Sequence, residues 1–330
     1  MTALNVYNGP SVAGAAEQGR LGLDLFAIPL GIAALGTLWA VVVPAVPAGA
    51  VVAVFSESVA AATWVVMIAV YVAHLVKGAY GFSDLRHPIY GPLAAFIPVI
   101  GILVAATFHG LGVPGLESPI VAFALLLLVM DAWLLRTWIV GEFSFDAIHS
   151  GYLLPLVAGA FLASFGLSSV GLQALARGAW GIGLFFWFII GTAVFFRLML
   201  GPQLGDAARP GVAILLSPPA TAGIAWFALT DGDVGIVMYL ILGVLGMVLL
   251  AQMSLISFYL TTPFTLGFWA VTFPVCSSAS LLARVVVLRH PPEWEAIAIV
   301  IAGLASFVVV SVAVRTAMWF ITRRRQATKR

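Results

Sequence analysis

Ten apolar stretches follow one another with little between them: 22–45, 50–76, 91–111, 119–140, 150–170, 178–200, 211–230, 233–258, 264–288 and 294–321. Crossing the hydrocarbon core of a bilayer takes about 20 apolar residues in a helix, and each stretch meets that length. Of the 330 residues, 62% are hydrophobic and 8% charged, whereas soluble domains run at about 45–50% and about 25%. No soluble fold hides so much apolar surface, so lipid must be the solvent. The separators 77-KGAYGFSDLRHPIYGP-92, 201-GPQLGDAARPG-211 and 289-RHPPEWE-295 are too short for an extramembrane domain. Helices satisfy their own backbone groups, as hydrocarbon demands. The expected fold is therefore an all-α integral membrane protein. A cytoplasmic N-terminal segment 1–21 precedes one ten-helix transmembrane domain 22–321 and a basic cytoplasmic tail 322–330. The first 20 residues are polar and small, and no cleavable leader is expected from them.

Lysine and arginine collect in cytoplasmic loops. The termini and even-numbered loops hold Arg20, Lys77, Arg86, Arg136, Arg197, Arg209, Arg323, Arg324, Arg325, Lys329 and Arg330. The other side holds Arg177, Arg284 and Arg289. Eleven against three places both termini in the cytoplasm, with the chain a multi-pass protein of the cytoplasmic membrane. The net charge of +2 gives no reason to expect a nucleic-acid partner.

Prolines then divide the spans into two classes. Pro29, Pro98, Pro155, Pro218 with Pro219, and Pro274 lie inside spans one, three, five, seven and nine. The even spans have none in their interiors, with Pro119, Pro291 and Pro292 only at their starts. The key prolines are 69, 57, 63 and 56 residues apart, roughly one helical hairpin per step. Proline in a helix interior removes a backbone bond, and a freed carbonyl is tolerated at membrane depth only against protein or water. Five hairpin repeats follow, with kinked odd helices as an inner ring around a central pore and intact even helices facing lipid.

Five stretches carry a family likeness: 27-AIPLGIAALGTLW-39, 87-HPIYGP-92, 154-LPLVAGAFLASFG-166, 215-LLSPPATAGIAWFALTDG-232 and 264-FTLGFWAVTFPV-275. The connection 197-RLMLGPQLGDAARPG-211 adds to them. Together they resemble the tellurite-resistance/dicarboxylate transporter family of the voltage-dependent anion channel superfamily. The resemblance implies a homotrimer of independent protomers, each with a pore inside its inner helices. It also implies that Phe273, in the TFP motif, plugs that pore. Val271 stands where the family often has tyrosine, and Tyr90-Gly91-Pro92 departs from the family's usual pairing after HP. Gly31, Phe108, Phe161, Phe165 and Thr272 are the pore-lining candidates. From the residues alone, Phe273 reads as a packing ring between helices ahead of a gate, and periodicity does not separate lining from packing for the phenylalanines. The implied cargo is small inorganic anions such as nitrate or chloride. Sulfite, tellurite and C4-dicarboxylates moved by a proton-coupled carrier are the alternative.

Charge is nearly absent from the odd spans, where Arg284 is the one basic residue and lies near the outer end. Anion attraction must then come from helix N-termini and amide dipoles. Glu57, Asp131 and Arg315 lie on even spans. The pairings to expect are Glu57 with Arg284, and Asp131 with Arg315 or Arg136, the sharper alternative being a proton-coupling carboxylate. His74, His87, His109, His149 and His290 are scattered without metal-ligand spacing. His87 reads as a local loop residue, and Cys276 as core packing. No phosphate loop, H-E-x-x-H or G-x-S-x-G occurs. No cofactor and no enzymatic activity are expected.

A reporter that is active only in the cytoplasm, fused after Arg330, should give full signal, and one that needs export should give none. The reverse result would overturn the charge-derived topology.

Overall fold

The computed structural model describes residues 22–76, 83–141 and 144–327. Arg20, Lys77, Lys329 and Arg330, the segment 1–21 and the end of the tail 322–330 lie outside the described residues. Ten helices are long and apolar enough to cross a membrane. We number them α1 (Leu23–Val41), α2 (Gly49–Val76), α3 (Gly91–Gly110), α4 (Glu117–Val140), α5 (Ser150–Ser169), α6 (Gln173–Leu200), α7 (Arg209–Leu229), α8 (Ile236–Ser254), α9 (Leu266–Arg289) and α10 (Trp294–Gln326). Short helices Ser83–Arg86 and Ile256–Thr261 lie in connections, and no strand occurs among the described residues. α10 runs past the expected end of the span and through Arg323–Arg325. No Gly or Pro stops it there, and cations suit a helix C-terminus.

Burial separates the helices by parity. Between 56% and 100% of the most apolar stretch of each odd helix is buried, against 17–28% for each even helix. The exposed faces of the even helices are themselves apolar, as with Phe55 and Val66 on α2, Phe188 on α6, Met247 on α8 and Phe307 on α10. Such surface fits hydrocarbon. Each odd helix packs on the even helix that follows it. In addition α1 touches α3, α3 touches α5, α5 touches α7, α7 touches α9, and α9 returns to α1. Even helices also cover seams: α2 reaches α3, α4 reaches α5, α6 reaches α7, and α10 reaches α1.

Irregular backbone is confined to the odd helices among the ten. They start with 3₁₀ turns at Leu23–Phe26, Gly91–Ala95, Ser150–Leu153, Arg209–Leu216 and Leu266–Phe268, and α5 adds a π stretch at Leu154–Gly159. The prolines mark these changes of helix type more than they bend finished helices. Pro29 and Pro98 are in the first turn of the α-helical segments Ala27–Val41 and Phe96–Gly110, and Pro218 and Pro219 in that of Ser217–Leu229. In a first turn the missing N–H removes no α-helical bond. Pro155 lies in the π stretch. Pro274 alone stands inside a continuous α-helix, Trp269–Arg289.

Close approach holds the inner helices together. A Cβ on Gly31 would lie 2.8 Å from Thr272 Cβ, and closer still to its hydroxyl. α1 therefore meets α9 backbone to side chain, one residue before Phe273. The loops are fixed more locally. His87 Nδ1 accepts the N–H groups of Ile89 (3.1 Å) and Tyr90 (3.4 Å), which closes the turn before α3. His149 does the same before α5: its Nδ1 accepts from Gly151 N–H at 3.1 Å, and its ring lies edge-on to Tyr152. Burial, with His87 nearby, pushes the His149 imidazole down to about 4.

Two outcomes follow for stability. Gly31→Ala should cost about 1–3 kcal/mol, the usual effect of overpacking, read by thermal unfolding in detergent. Gly181→Ala, which meets open space, should stay within about 1 kcal/mol of wild type. His149 is neutral in the fold, whereas in the unfolded chain it takes a proton below its ordinary 6.5. Its contribution is therefore complete above 6.5 and lost as pH falls toward about 4. His149→Asn keeps an acceptor for Gly151 N–H and should flatten the acid side of the thermal-stability profile.

Candidate functional site

The odd helices converge on one aromatic ring. Phe273 is 4% exposed and sits in α9 directly before Pro274. Pro274 donates no N–H, which leaves the Ala270 carbonyl without its α-helical partner. The Pro274 carbonyl in turn accepts hydrogen bonds from Ser278 Oγ (2.7 Å) and Ser277 Oγ (3.2 Å). Trp269, one turn earlier, donates from Nε1 to Thr316 Oγ1 of α10 at 2.9 Å. The outer layer thus fixes the helix that carries the ring.

Three small voids border Phe273, each of about 10 Å³, at the lower limit for one water. Two are walled by the first halves of the odd helices, through Leu30, Phe96, Leu154 and Ile214 among others, and carry no polar side chain beyond the Trp269 ring. The third is walled by the second halves. It has the hydroxyl residues Thr37, Ser277 and Ser280 beside Ala34, Leu103, Leu162, Phe165 and Ile224. All five odd helices contribute to these walls, and Phe273 is the residue common to all three. The ring stands between an apolar half and a hydroxyl-bearing half. No Lys, Arg, Asp or Glu borders any of the three.

Of the lining candidates, Phe165 borders the hydroxyl-bearing void. Phe161 faces the other way: it is fully buried, tilted against Trp180 and edge-on to Trp187 of α6, and a Cβ on Gly183 would lie 2.8 Å from its ring. It joins the two layers, because its position on α5 points to α6. Phe108 is half-buried near the end of α3 and borders none of the three voids. Thr272 is buried, with Oγ1 donating to the Trp269 carbonyl at 2.7 Å, and Gly31 is its close neighbour. The prolines Pro29, Pro98, Pro155, Pro218 and Pro274 are all buried.

The expected ion pairs do not form. Among the described residues the ion pairs are His109–Glu117 (3.7 Å) and Arg209–Asp206 (2.8 Å). Glu57 is fully buried and turns to hydroxyls instead. Thr37 Oγ1 donates to its Oε1 at 3.1 Å, and Thr107 Oγ1 lies 2.9 Å from Thr37 Oγ1. Glu57 sits on α2 against α1 and α3, so threonines of those helices reach it and Arg284 of α9 does not. Arg284 has a buried Nε without a hydrogen-bond partner. Asp131 is 4% exposed and lies at one end of an apolar crevice of about 240 Å³ between α4, α5 and α6. Arg315 is exposed on α10, 6.0 Å from the Phe264 ring. No cluster of potential metal ligands occurs among the described residues.

Sequence reasoning missed Thr37, Thr107, Ser277 and Ser280. Their signal was present: hydroxyls in otherwise apolar odd spans, most openly in 276-CSSAS-280.

The family model described as SLAC1, voltage-dependent anion channel, matches residues 20–317. The chain is 25% identical over 266 residues to the "Tellurite resistance protein TehA homolog" of Haemophilus influenzae, covering 77% of this chain and 78% of that protein. It is 24% identical over 272 residues to the "S-type anion channel SLAH2" of Arabidopsis thaliana, covering 78% of this chain and 51% of that one. With nearly its whole length matched, the chain belongs to the voltage-dependent anion channel family.

Proposed function

We propose that the protein conducts small monovalent anions through the centre of its odd helices, with the Phe273 ring as the gate. The observation that carries this reading is the common border: one aromatic side chain touches all three central voids. A bulky apolar ring there blocks water and ions directly, and a dry constriction gates by dewetting as well. The absence of charge on the void walls supports weak binding. Conduction needs an ion to leave as readily as it enters, and a fixed cation would slow release. Hydroxyls and the aligned dipoles of the odd helices are the remaining sources of attraction.

The same reading has the protein as a homotrimer in the cytoplasmic membrane, with residues 22–321 as the transmembrane unit, in contact with lipid and with both termini in the cytoplasm. The lipid-facing even helices leave each protomer its own path, so one protomer's gate acts without its neighbours. Transport of dicarboxylate, sulfite or tellurite by a proton-coupled mechanism is the competing reading. Its mark would be saturable flux that excludes nitrate and halide.

Anion currents across planar bilayers test the gate. Phe273→Ala should conduct far more than wild type, and Phe273→Leu should fall between them, because a smaller plug leaks. Truncating a buried phenylalanine costs about 3–5 kcal/mol in a packed core. A ring that already faces voids has fewer neighbours to lose, so assembly should survive. Phe186→Ala, on the outer helix α6, should open nothing. A folded Phe273→Ala protein as silent as wild type would refute the gate.

A further inference from the structure

We propose that the void on the hydroxyl-bearing side of Phe273 is a subsite for a small monovalent anion. Thr37 and Ser280 bind the anion, and Glu57 behind Thr37 sets whether the site offers a hydrogen or a lone pair. The inference rests on the conduit reading above and names the groups that meet the ion. Ser280 is 2% exposed and borders the void, yet its Oγ has no hydrogen-bond partner. Buried hydroxyls are normally satisfied, because an unmade bond costs free energy. An anion in the void supplies the missing acceptor. With the ring in place the space takes about one water, so the ion occupies the site once Phe273 has moved aside.

Thr37 is the second group, and its one hydrogen decides its role. In the structure Oγ1 donates to Glu57 Oε1 (3.1 Å), so the 2.9 Å contact with Thr107 must use the Thr107 hydrogen. The order is Thr107 to Thr37 to Glu57, so Thr37 Oγ1 has no hydrogen left for an ion in the void, and its remaining lone pair repels an anion. A proton added to the Glu57 carboxylate reverses the Thr37–Glu57 bond alone. The carboxyl O–H then donates to Thr37 Oγ1, Thr107 still donates to it, and the Thr37 O–H is left for an anion in the void. The balance is one proton gained by Glu57 and no other covalent change.

The surroundings isolate this carboxyl. Glu57 is 0% exposed, and its Oε2 has no hydrogen-bond partner. A Cβ on Gly36 would lie 2.7 Å from Glu57 Cγ, which leaves the side chain little room to swing. The helices packed on α2 are α1 and α3. The one charged residue of α1, Asp24, is at its opposite end. α3 carries His109 shortly after Thr107, with Nδ1 3.7 Å from Glu117. The other titratable residues of α2, Tyr71 and His74, lie toward its far end.

Nitrate flux into proteoliposomes bearing Phe273→Ala, followed from alkaline to acid pH, tests the proposal. Flux should rise as pH falls. Adding Glu57→Gln should hold flux at the acid level at every pH, because the amide N–H donates to Thr37 as the protonated carboxyl does. Adding Thr37→Val or Ser280→Ala should lower acid-level flux about tenfold, within the worth of a hydrogen bond to a charged group. Thr37→Val should also abolish the pH response. His109→Gln should leave it in place. A pH response that survives Glu57→Gln, or unchanged flux in both hydroxyl variants, overturns the proposal. Thermal stabilisation by nitrate against gluconate, at constant ionic strength in detergent, is read on the same proteins. If Phe273→Ala carries no flux, the conduit reading falls and this measurement still decides the subsite. Stabilisation lost in Thr37→Val and Ser280→Ala supports it, and stabilisation that persists in both or occurs in none overturns it.

Discussion

Hydrocarbon offers no hydrogen bond, so any backbone group that a helix leaves unpaired must be hidden by protein or water. That constraint orders the whole molecule. A chain with five proline-bearing spans has five irregular segments to hide, and it hides them behind five regular ones. The outer helices carry unbroken α-helix to the lipid, and the inner helices keep their 3₁₀ turns, the π stretch and Pro274 within. Chain order then makes the arrangement local. Each irregular helix is followed by the regular helix that covers it, and α2, α4, α6 and α10 each reach a second inner helix as well.

Inner helices that start irregularly have few regular ridges to interlock, so they approach through small residues. Gly31 against Thr272 and Gly36 against Glu57 are two such approaches, and both hold α1. The first positions α9 beside the ring, and the second presses α2 against α1 where the threonine chain forms. One inner helix thus adjoins the Phe273 helix along one stretch and the buried carboxyl along another. The Trp269–Thr316 bond ties α9 to its outer cover. That tie constrains the backbone that carries Phe273.

Ten spans, the parity of the prolines and the burial of the odd helices were all legible in the sequence, because each depends on hydropathy or on proline's missing N–H. The kinks were legible only in part. Proline marks irregular backbone, but whether it ends a 3₁₀ turn, as at Pro29, or interrupts an α-helix, as at Pro274, depends on how many residues of the helix precede it. Side-chain direction was not legible. Phe161 and Phe165 are one helical turn apart on α5, yet one meets tryptophans of α6 and the other borders a central void. Nothing in their identity separates them, since a fully buried helix has no polar face to set its rotation. The ion pairs failed for a related reason. Opposite charge on neighbouring elements suggests a pair, but a buried carboxyl takes whichever donor the packing brings within reach, and for Glu57 that donor was a threonine.

Glu57 and Asp131 show how much environment matters to one kind of group. Both are carboxyls on even helices, both are at least nine-tenths buried, and neither has a cation within ion-pair distance. Asp131 lines an apolar crevice between α4, α5 and α6 and borders none of the three central voids. Glu57 is joined to the centre through Thr37, whose hydroxyl bonds the carboxyl and which itself borders the void. A hydroxyl transmits protonation without moving any heavy atom, because reversing its hydrogen reverses the polarity it presents. In the conduit proposed above, whose walls carry no charge, that polarity is a large part of what an ion encounters. On that proposal the lack of cations favours fast release, and the same omission makes a single reorientable hydroxyl matter.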